Sequence, residues 1–186
     1  MIPRLDPFTV VMNLATGHLD PDLGRIERTL DGMTGMYLND VADPDRLVYR
    51  VFLMPVPEES SEIQCSTTIL EPGMVGDEFH MTKGHFHQVR DRSEVYVGLS
   101  GTGMLVMATE DGRHAVEPIE PGTINYVPGG WAHRSVNIGD EPLVFFAAYV
   151  GDAGHDYATI EEKGFPVVVL KGDDGPRIVP NSRYRS

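Results

Sequence analysis

The chain has 186 residues, of which 41% are hydrophobic and 23% charged, and it contains 20 glycines and 14 prolines. That length suits one domain of ordinary size, and the composition is that of a folded, turn-rich protein and not of a disordered one. The formal net charge of −13 repels nucleic acid and anionic membrane surfaces, so the sequence predicts neither as a partner.

The N-terminal segment lacks the basic stretch and apolar core of a signal peptide, and no segment approaches the ~20 apolar residues that span a bilayer. The single cysteine, Cys65, cannot form a disulfide within the chain and cannot build a thiolate metal site. Both observations agree with a reducing compartment, and we expect a cytoplasmic protein.

Residues 1–45 are predicted to form an irregular N-terminal extension with one short helix. In that helix Asp20 would be the cap, Pro21 would occupy the first position and DLGRIERTL would follow. Gly32 would end the helix.

From residue 46 the pattern changes to short strands separated by glycine and proline. Gly101–Gly103 is predicted to be a hairpin turn between two of these strands. Many short strands with turns of this kind predict an all-β sandwich or barrel. The first predicted strands occupy 46–56, 63–73, 84–89 and 94–112, and others follow from residue 114 onward.

A second short helix is predicted at 156–164, between two of the later strands. Asp156 can accept hydrogen bonds from the first turn of this helix, and Gly164 can end it. The prediction is therefore an all-β protein with one or two short helices.

Two histidines, His85 and His87, are separated by one residue in TKGHFH. In an extended strand alternate side chains project to the same face, so both imidazoles would lie on one side and Phe86 on the other. The same alternation places Glu94 and Tyr96 on one face of EVYVGL, where a buried carboxylate needs a cation nearby. The histidines could share one metal ion.

A third histidine, His133, lies in PGTINYVPGGWAHRSVN. The stretch G(x8)HFH(x6)E(x6)G, which begins at Gly76, and the stretch G(x5)PxGxxH(x3)N, which begins at Gly122, together resemble the two motifs of the cupin family. The resemblance implies a double-stranded β-helix, also called a jelly-roll barrel. In a single domain of residues 1–186, the barrel would occupy 46–170, with a C-terminal strand and tail at 171–186.

The cupin resemblance also implies a set of metal ligands, namely His85, His87, Glu94 and His133. In one respect the sequence departs from the family, because six residues separate the second histidine from the glutamate, whereas most cupins have three or four. We expect the longer loop to bulge outward and leave coordination intact.

Three imidazoles and one carboxylate suit one divalent ion per subunit, such as Fe(II), Mn(II), Ni(II), Co(II) or Zn(II). These ligands leave one or two coordination positions free, and an open site of this kind suggests catalysis. His18, His80 and His114 have no such context and are expected to be ordinary polar residues.

The stretches around the ligands, among them TKGHFH, EVYVGLSGTGMLVM and DAGHDYATIEEKGF, resemble the cupin-type phosphoglucose isomerases over about residues 45–170. That resemblance implies a homodimer with iron(II) that interconverts glucose 6-phosphate and fructose 6-phosphate in glycolysis and gluconeogenesis. Glu94 and His155 are the expected catalytic residues. By matching position, the resemblance implies a sugar-phosphate site formed by Tyr49, Thr68, Thr82, Gly84, Tyr96, Tyr149, His155 and Tyr157.

Three further expectations concern single positions of the site. Lys83 is another candidate for the phosphate, although strand alternation would turn it away from Thr82 and Gly84. His155 could become cationic and add positive charge, while it remains near neutral in the free enzyme. Gly130 stands where the family often has a tyrosine, which would leave a roomier pocket and allow mannose 6-phosphate as a second substrate.

The sequence leaves alternatives open for both mechanism and function. Hydrogen could move as a proton through an enediolate, with Glu94 as the base, or as a hydride between the two carbons. A cupin dioxygenase could use the same ligands, with substrate and oxygen in the free positions. A non-catalytic sensor or storage cupin would bind the sugar phosphate without turnover.

Overall fold

The computed structural model describes residues 5–185. Within this range the chain forms fifteen strands, one 3-10 turn at Asp31–Met33 and one α-helix, α1 (Ala158–Lys163). No helix of the described residues is long and apolar enough to cross a membrane. In chain order the strands are β1 (Val11–Met12), β2 (Leu19–Asp20), β3 (Arg25–Thr29), β4 (Leu47–Leu53), β5 (Ile63–Leu70), β6 (Met74–Val75), β7 (Glu78–Phe79), β8 (Glu94–Ser100), β9 (Gly103–Thr109), β10 (His114–Ile119), β11 (Ile124–Val127), β12 (Trp131–Asn137), β13 (Leu143–Val150), β14 (Val167–Gly172) and β15 (Gly175–Pro180).

Two antiparallel sheets form the barrel. Six strands lie in the order β11-β8-β13-β5-β4-β3, and three lie in the order β10-β9-β12. Side chains from both sheets meet in one hydrophobic core, among them Leu70 of β5, Phe145 of β13 and Leu105 of β9. This double-sheet arrangement is a cupin jelly roll, and the predicted fold class is confirmed.

The turn at Gly101–Gly103 is not the hairpin that its glycines predict. Strand β8 pairs with β11 and β13, whereas β9 pairs with β10 and β12, so the two strands beside the turn belong to different sheets. Gly101 has φ of +78°, and a Cβ there would lie 2.5 Å from the Pro142 carbonyl oxygen. Glycine therefore lets the chain pass from one sheet to the other in two residues.

The predicted helix at 22–30 is wrong, because its central residues form strand β3. This strand pairs antiparallel with β4; its residues Arg25 to Glu27 are exposed, and Arg28 and Thr29 are half-buried. The cap and stop signals were compatible with a helix, but pairing over five residues with β4 provides partners for the backbone groups of β3 that face that strand. Tertiary pairing thus decided the conformation of this segment.

The second predicted helix is confirmed, and the predicted strand at 84–89 is wrong. Helix α1 begins after Asp156, whose carboxylate accepts hydrogen bonds from the Thr159 N–H at 3.2 Å and hydroxyl at 2.7 Å. Gly164 has φ of +74° at its end. Between 84 and 89 only His85 and Phe86 form isolated bridges, and Gly84 with φ of +78° prevents a continuous strand.

Asn137 at the end of β12 holds three backbone groups together. Its side chain is fully buried; the amide donates to the carbonyls of Leu70 at 2.8 Å and Glu141 at 2.9 Å, and its oxygen accepts from the Gly139 N–H at 3.0 Å. The last residue of the second cupin motif therefore joins β12 to β5 and to the turn before β13.

Replacement of Asn137 by Ala is expected to lower the free energy of unfolding by about 2–4 kcal/mol, because three backbone groups lose their partner in the interior. Urea denaturation measures the change. Asn39→Ala is the control, because Asn39 is exposed and should cost less than about 0.5 kcal/mol. Equal effects of the two substitutions would contradict the assigned role.

Candidate metal centre and active site

A cavity of about 400 Å³ lies between the two sheets, and it brings together nearly every residue that the sequence predicted for the site. His87 does not line this cavity, since its ring lies behind the others and is buried. The predicted residues on the cavity wall are Tyr49, Thr68, Thr82, Lys83, Gly84, His85, Glu94, Tyr96, His133, Tyr149, His155 and Tyr157.

Strand register explains why residues distant in sequence share this cavity. In strand β13, Tyr149 lies opposite Glu94 of β8, and two residues away Ala147 lies opposite Tyr96. Phe145, two residues further, lies opposite Thr68 of β5. Because side chains at steps of two share a face, the six-stranded sheet presents these groups together to the interior.

The metal-ligand candidates come from three segments. His85 forms an isolated antiparallel bridge with His133 of β12, and the two rings lie 4.5 Å apart between centroids. His87 follows after the buried Phe86, and Glu94 begins β8. One potential ligand atom from each of His85, His87, Glu94 and His133 lies within 4.8 Å of the others, so this group could hold a metal ion.

The hydrogen bonds of the imidazoles fit such an ion. Nδ1 of His87 lies 2.9 Å from the Arg92 carbonyl oxygen, and Nδ1 of His133 lies 3.3 Å from the Trp131 carbonyl oxygen. A carbonyl accepts only, so each Nδ1 carries a proton and donates it, which leaves Nε2 free to bind a metal. Nε2 of His85 is buried without a hydrogen-bond partner within residues 5–185, and Nε2 of His133 faces the Glu94 carboxylate.

The carboxylate completes the centre. Oε2 of Glu94 lies 2.9 Å from Nε2 of His133 and 3.1 Å from Nε2 of His87, and all three side chains are buried. A carboxylate and imidazole nitrogens without sulfur are the donors that borderline divalent ions prefer. The donor set therefore fits the metal that the sequence predicted.

The protonation states of these groups depend on each other. Burial alone would raise the pKa of Glu94, but His133 and His87 beside it lower that pKa to about 2. Burial lowers the pKa of His87, and the Glu94 carboxylate outweighs this effect and raises it. Burial, followed by the neighbouring histidines, lowers the pKa of His85 far below its usual value. The Glu94 carboxylate is therefore ionised, and His85 is neutral.

Comparison with known proteins assigns the family. The chain matches the glucose-6-phosphate isomerase (GPI) family over residues 31–181. It is 43% identical to the glucose-6-phosphate isomerase of Pyrococcus abyssi, over 97% of this chain and 98% of that one. The chain belongs to the glucose-6-phosphate isomerase family.

More distant proteins extend this comparison. The glucose-6-phosphate isomerase of Sinorhizobium medicae is 34% identical over 100% of this chain and 91% of its own. Among solved structures, oxalate decarboxylase from Bacillus subtilis is similar with a TM-score of 0.46 and 25% identity, over 58% of this chain and 27% of that longer one. The resemblance to phosphoglucose isomerases that the sequence motifs indicated is thus confirmed by the family match and the full-length relatives.

In this member of the glucose-6-phosphate isomerase family, the loop of six residues between His87 and Glu94 is fixed by two arginines. Both carboxylate oxygens of Asp152 accept from Arg92, at 2.7 and 2.8 Å, and Arg90 donates to Asp156 at 2.6 Å. The Arg92 carbonyl faces the His87 ring. The longer loop therefore supplies the group that orients one of the candidate ligands.

Hydroxyl groups of Thr82, Tyr96 and Tyr157 line the cavity. The Thr82 hydroxyl accepts from the Ser135 N–H at 2.9 Å, so its own hydrogen remains available to a ligand. Burial, followed by the Glu94 charge, raises the pKa of Tyr96 well above its usual value. Burial likewise raises the pKa of Tyr157 to about 12. Both phenols stay protonated and can donate at neutral pH.

His155 is neutral in this cavity, which agrees with the near-neutral imidazole that the sequence predicted for the free enzyme. It packs against His85 with 4.4 Å between ring centroids and stacks on Tyr157 at 5.8 Å with the rings nearly parallel. Burial is the largest effect on its pKa and lowers it. His155 therefore offers a neutral imidazole, able to accept or donate a proton.

The expectation that Lys83 turns away from Thr82 and Gly84 is wrong, because Gly84 interrupts the strand and all three residues line the cavity. The Lys83 ammonium lies 2.5 Å from Oε1 of Glu161 and 5.5 Å from the centre of the Tyr157 ring. Its charge is therefore already paired with a carboxylate of helix α1.

The sequence analysis did not identify several residues of the cavity wall. It also predicted, wrongly, that Gly130 lies beside the cavity. Arg28 was assigned to a helix, whereas Gln64 and Ser66 lie at steps of two from Thr68 and could have been found by alternation. Gly130 lies in the turn before β12 and does not line the cavity. The idea that its missing side chain widens the pocket thus has no structural support.

Addition of Mn(II) or, under anaerobic conditions, Fe(II) to chelated protein is expected to raise its Tm, because an ion that binds the folded state at 100 times its Kd stabilises it by about 2.7 kcal/mol. The shift should weaken as the pH falls through the raised pKa of His87, where a proton competes for the same nitrogen. Differential scanning fluorimetry measures both effects.

The variant His85→Ala should lose most of this thermal shift. The matched control is His114→Ala, because His114 is an exposed imidazole on β10, and this variant should keep the shift. Equal shifts in the two variants would show that the ion binds elsewhere.

Proposed function

We propose that this protein is a metal-dependent aldose–ketose isomerase that interconverts glucose 6-phosphate and fructose 6-phosphate in glycolysis and gluconeogenesis. The observation that carries the proposal is the convergence of the four-residue His/Glu group and several hydroxyl donors on one cavity, in a chain similar over its full length to glucose-6-phosphate isomerases.

The metal centre in this proposal consists of His85, His87, Glu94 and His133. Iron(II) is the ion we propose, and Mn(II), Ni(II), Co(II) and Zn(II) suit the same donors. When bound, a divalent ion supplies positive charge that stabilises negative charge developing on the sugar oxygens. The buried His85 Nε2, which has no hydrogen-bond partner within residues 5–185, supports this use of the site.

Glu94 and His155 are the proposed acid–base groups. With its pKa lowered to about 2 between two histidines, Glu94 is a weak base in its resting position. It would have to separate from His133 or His87 to collect a proton from the sugar carbon. Neutral His155, at the cavity wall, could accept a proton from a sugar hydroxyl as the ring opens.

The remaining candidates would hold the rest of the sugar phosphate. Thr82 and Tyr96 offer hydroxyl donors, and Gly84 has no side chain that would keep a phosphate oxygen away from the backbone. Phe165 and Arg134 lie so close to Gly84 that any larger residue would collide with them. The proposed substrate contacts are Tyr49, Thr68, Thr82, Lys83, Gly84, Tyr96, Tyr149 and Tyr157.

The family resemblance also leads us to propose a homodimer in the cytoplasm. A single cysteine, Cys65, agrees with a reducing compartment. Light scattering coupled to gel filtration would test the dimer, and a mass equal to one chain would contradict it.

A coupled assay with fructose 6-phosphate is expected to show activity that disappears on chelation and returns with Fe(II), Mn(II) or Ni(II). His85→Ala should lower kcat/KM by at least about 100-fold, because one ligand is lost, whereas His114→Ala should change it less than about two-fold. Oxygen uptake without isomerisation would favour a dioxygenase. A thermal shift with sugar phosphate but no turnover would favour a binding protein.

Isomerisation in D2O is expected to place deuterium at C2 of recovered glucose 6-phosphate, as proton transfer through an enediolate requires. Mass spectrometry or NMR measures the incorporation. Complete absence of deuterium would remove the base role assigned to Glu94 and favour a hydride shift. Glu94→Gln should lose activity under either route, so the isotope experiment is the one that separates them.

A further inference from the structure

Arg28 is a cavity residue to which the motifs assign no role. It lies on β3, the outermost strand of the six-stranded sheet, opposite Tyr49 of β4. Ile26 and Arg28 line the cavity, whereas Arg25 and Glu27 form an ion pair on the exposed face of the same strand. The position of Arg28 therefore directs its side chain towards the substrate cavity.

Among residues 5–185 the guanidinium of Arg28 has no counter-ion. No carboxylate lies within 4.0 Å of it among residues 5–185, and its Nε is buried without a hydrogen-bond partner in the same range. Within that range Lys83 is the other lysine or arginine on the cavity wall, and Glu161 neutralises it at 2.5 Å. Arg28 is half-buried, and a guanidinium nitrogen that is buried without a partner costs free energy unless a ligand compensates it.

The surroundings of Arg28 leave room for its extended side chain. A Cβ at Gly32 would lie 2.6 Å from the Arg28 Cδ and 3.4 Å from its Nη1. The Arg28 side chain therefore passes over the 3-10 turn at Gly32, the residue of that turn without a side chain. A bulge between Arg28 and Thr29 interrupts the pairing with β4. Such bulges redirect side chains next to functional sites.

Arg28 also acts electrostatically on a proposed substrate contact. Burial is the main cause that raises the pKa of Tyr157, and the Arg28 charge partly counteracts it. Tyr157 lies beneath the Lys83 ammonium, so Arg28, Tyr157 and Lys83 occupy one region of the cavity. This region contains both a free guanidinium and phenolic donors, the groups that hold a phosphate.

We propose that Arg28 is the residue that binds the phosphate group of the substrate and makes the site specific for it. Lys83 forms an ion pair with Glu161, so its charge is already neutralised. This inference rests on the proposed function, since it concerns the phosphate of the same sugar. A guanidinium can donate two parallel hydrogen bonds to phosphate oxygens, which an ammonium cannot. In a chain with net charge −13, a dianion needs such a local cation to bind.

Steady-state kinetics with fructose 6-phosphate on metal-loaded protein tests the proposal. Arg28→Gln should raise KM by about 10- to 100-fold, the effect of losing charged hydrogen bonds, with kcat within about three-fold of wild type. Arg28→Lys should give an intermediate KM, because it keeps the charge and loses the planar fork. Arg25→Gln, which removes the same charge from the opposite face of β3, should leave both constants within about two-fold.

Three outcomes would overturn the proposal. One is a KM of Arg28→Gln within two-fold of wild type, and another is a larger rise of KM in Lys83→Gln than in Arg28→Gln. If Arg28→Gln does not fold, Arg28→Lys is used in its place. An unchanged KM in Arg28→Lys is then the third outcome that would overturn the proposal. The metal-dependent thermal shift checks folding, because it depends on the ligands and not on Arg28.

A binding measurement separates this inference from the proposed function. Inorganic phosphate should raise the Tm of wild type and of Arg25→Gln, and it should do so much less for Arg28→Gln. This readout needs no turnover. Loss of the phosphate shift in Arg28→Gln supports the inference even if the protein isomerises no sugar, and retention of the shift in an active enzyme overturns it.

Discussion

The structure depends on one electrostatic constraint: three imidazoles and one carboxylate lie close together in the protein interior. Potential ligand atoms of His85, His87, Glu94 and His133 lie within 4.8 Å of each other, and a site with buried nitrogens that lack partners is stable only with a cation or a proton to compensate it. The two sheets meet this constraint by register: β8 and β12 face each other across the barrel, and the bridge between His85 and His133 fixes the third segment. The hydrophobic core packs against one side of the metal centre and makes the centre rigid. The cavity on the opposite side makes the centre accessible to a ligand.

Charge is distributed unevenly along the cavity. At one end the Glu94 carboxylate lies between histidines, and its low pKa keeps it ionised. On the outermost strand of the sheet lies Arg28, which has no counter-ion in the part of the chain that the structure describes. A molecule that carries two oxygens at the end facing the Glu94–histidine group and a dianionic group at the end facing Arg28 would match this distribution. A molecule bound in the reverse orientation would not. An overall acidic surface therefore does not prevent binding of an anion, because the local field inside the cavity differs from the field of the whole chain.

The sequence predicted the parts of this site that depend on local spacing. The resemblance of the two motifs to the cupin family implied that His85, His87, Glu94 and His133 form one group, and the structure brings their potential ligand atoms together. The pattern of many short strands and turns predicted the all-β fold class. Arg28 could not be predicted, because the signals of its segment fit a short helix equally well, and only pairing with β4 selected the strand. Lys83 was assigned the wrong direction for a related reason: one glycine with positive φ ends the strand on which the alternation was counted. Prediction from the local sequence pattern thus fails where pairing with a distant strand, or the φ angle of a single residue, determines the conformation of the segment.

The loop between His87 and Glu94 has a consequence for how this family can vary. The His87 ring is oriented by the carbonyl of Arg92, a main-chain group, and every amino acid provides that group. Substitutions along the loop leave the acceptor in place as long as the ion pair of Arg92 with Asp152, or an equivalent anchor, preserves the path of the chain. Insertions and deletions shift the carbonyl along the loop and leave the ring without its acceptor. Selection should therefore act on the length of this segment more strongly than on its composition.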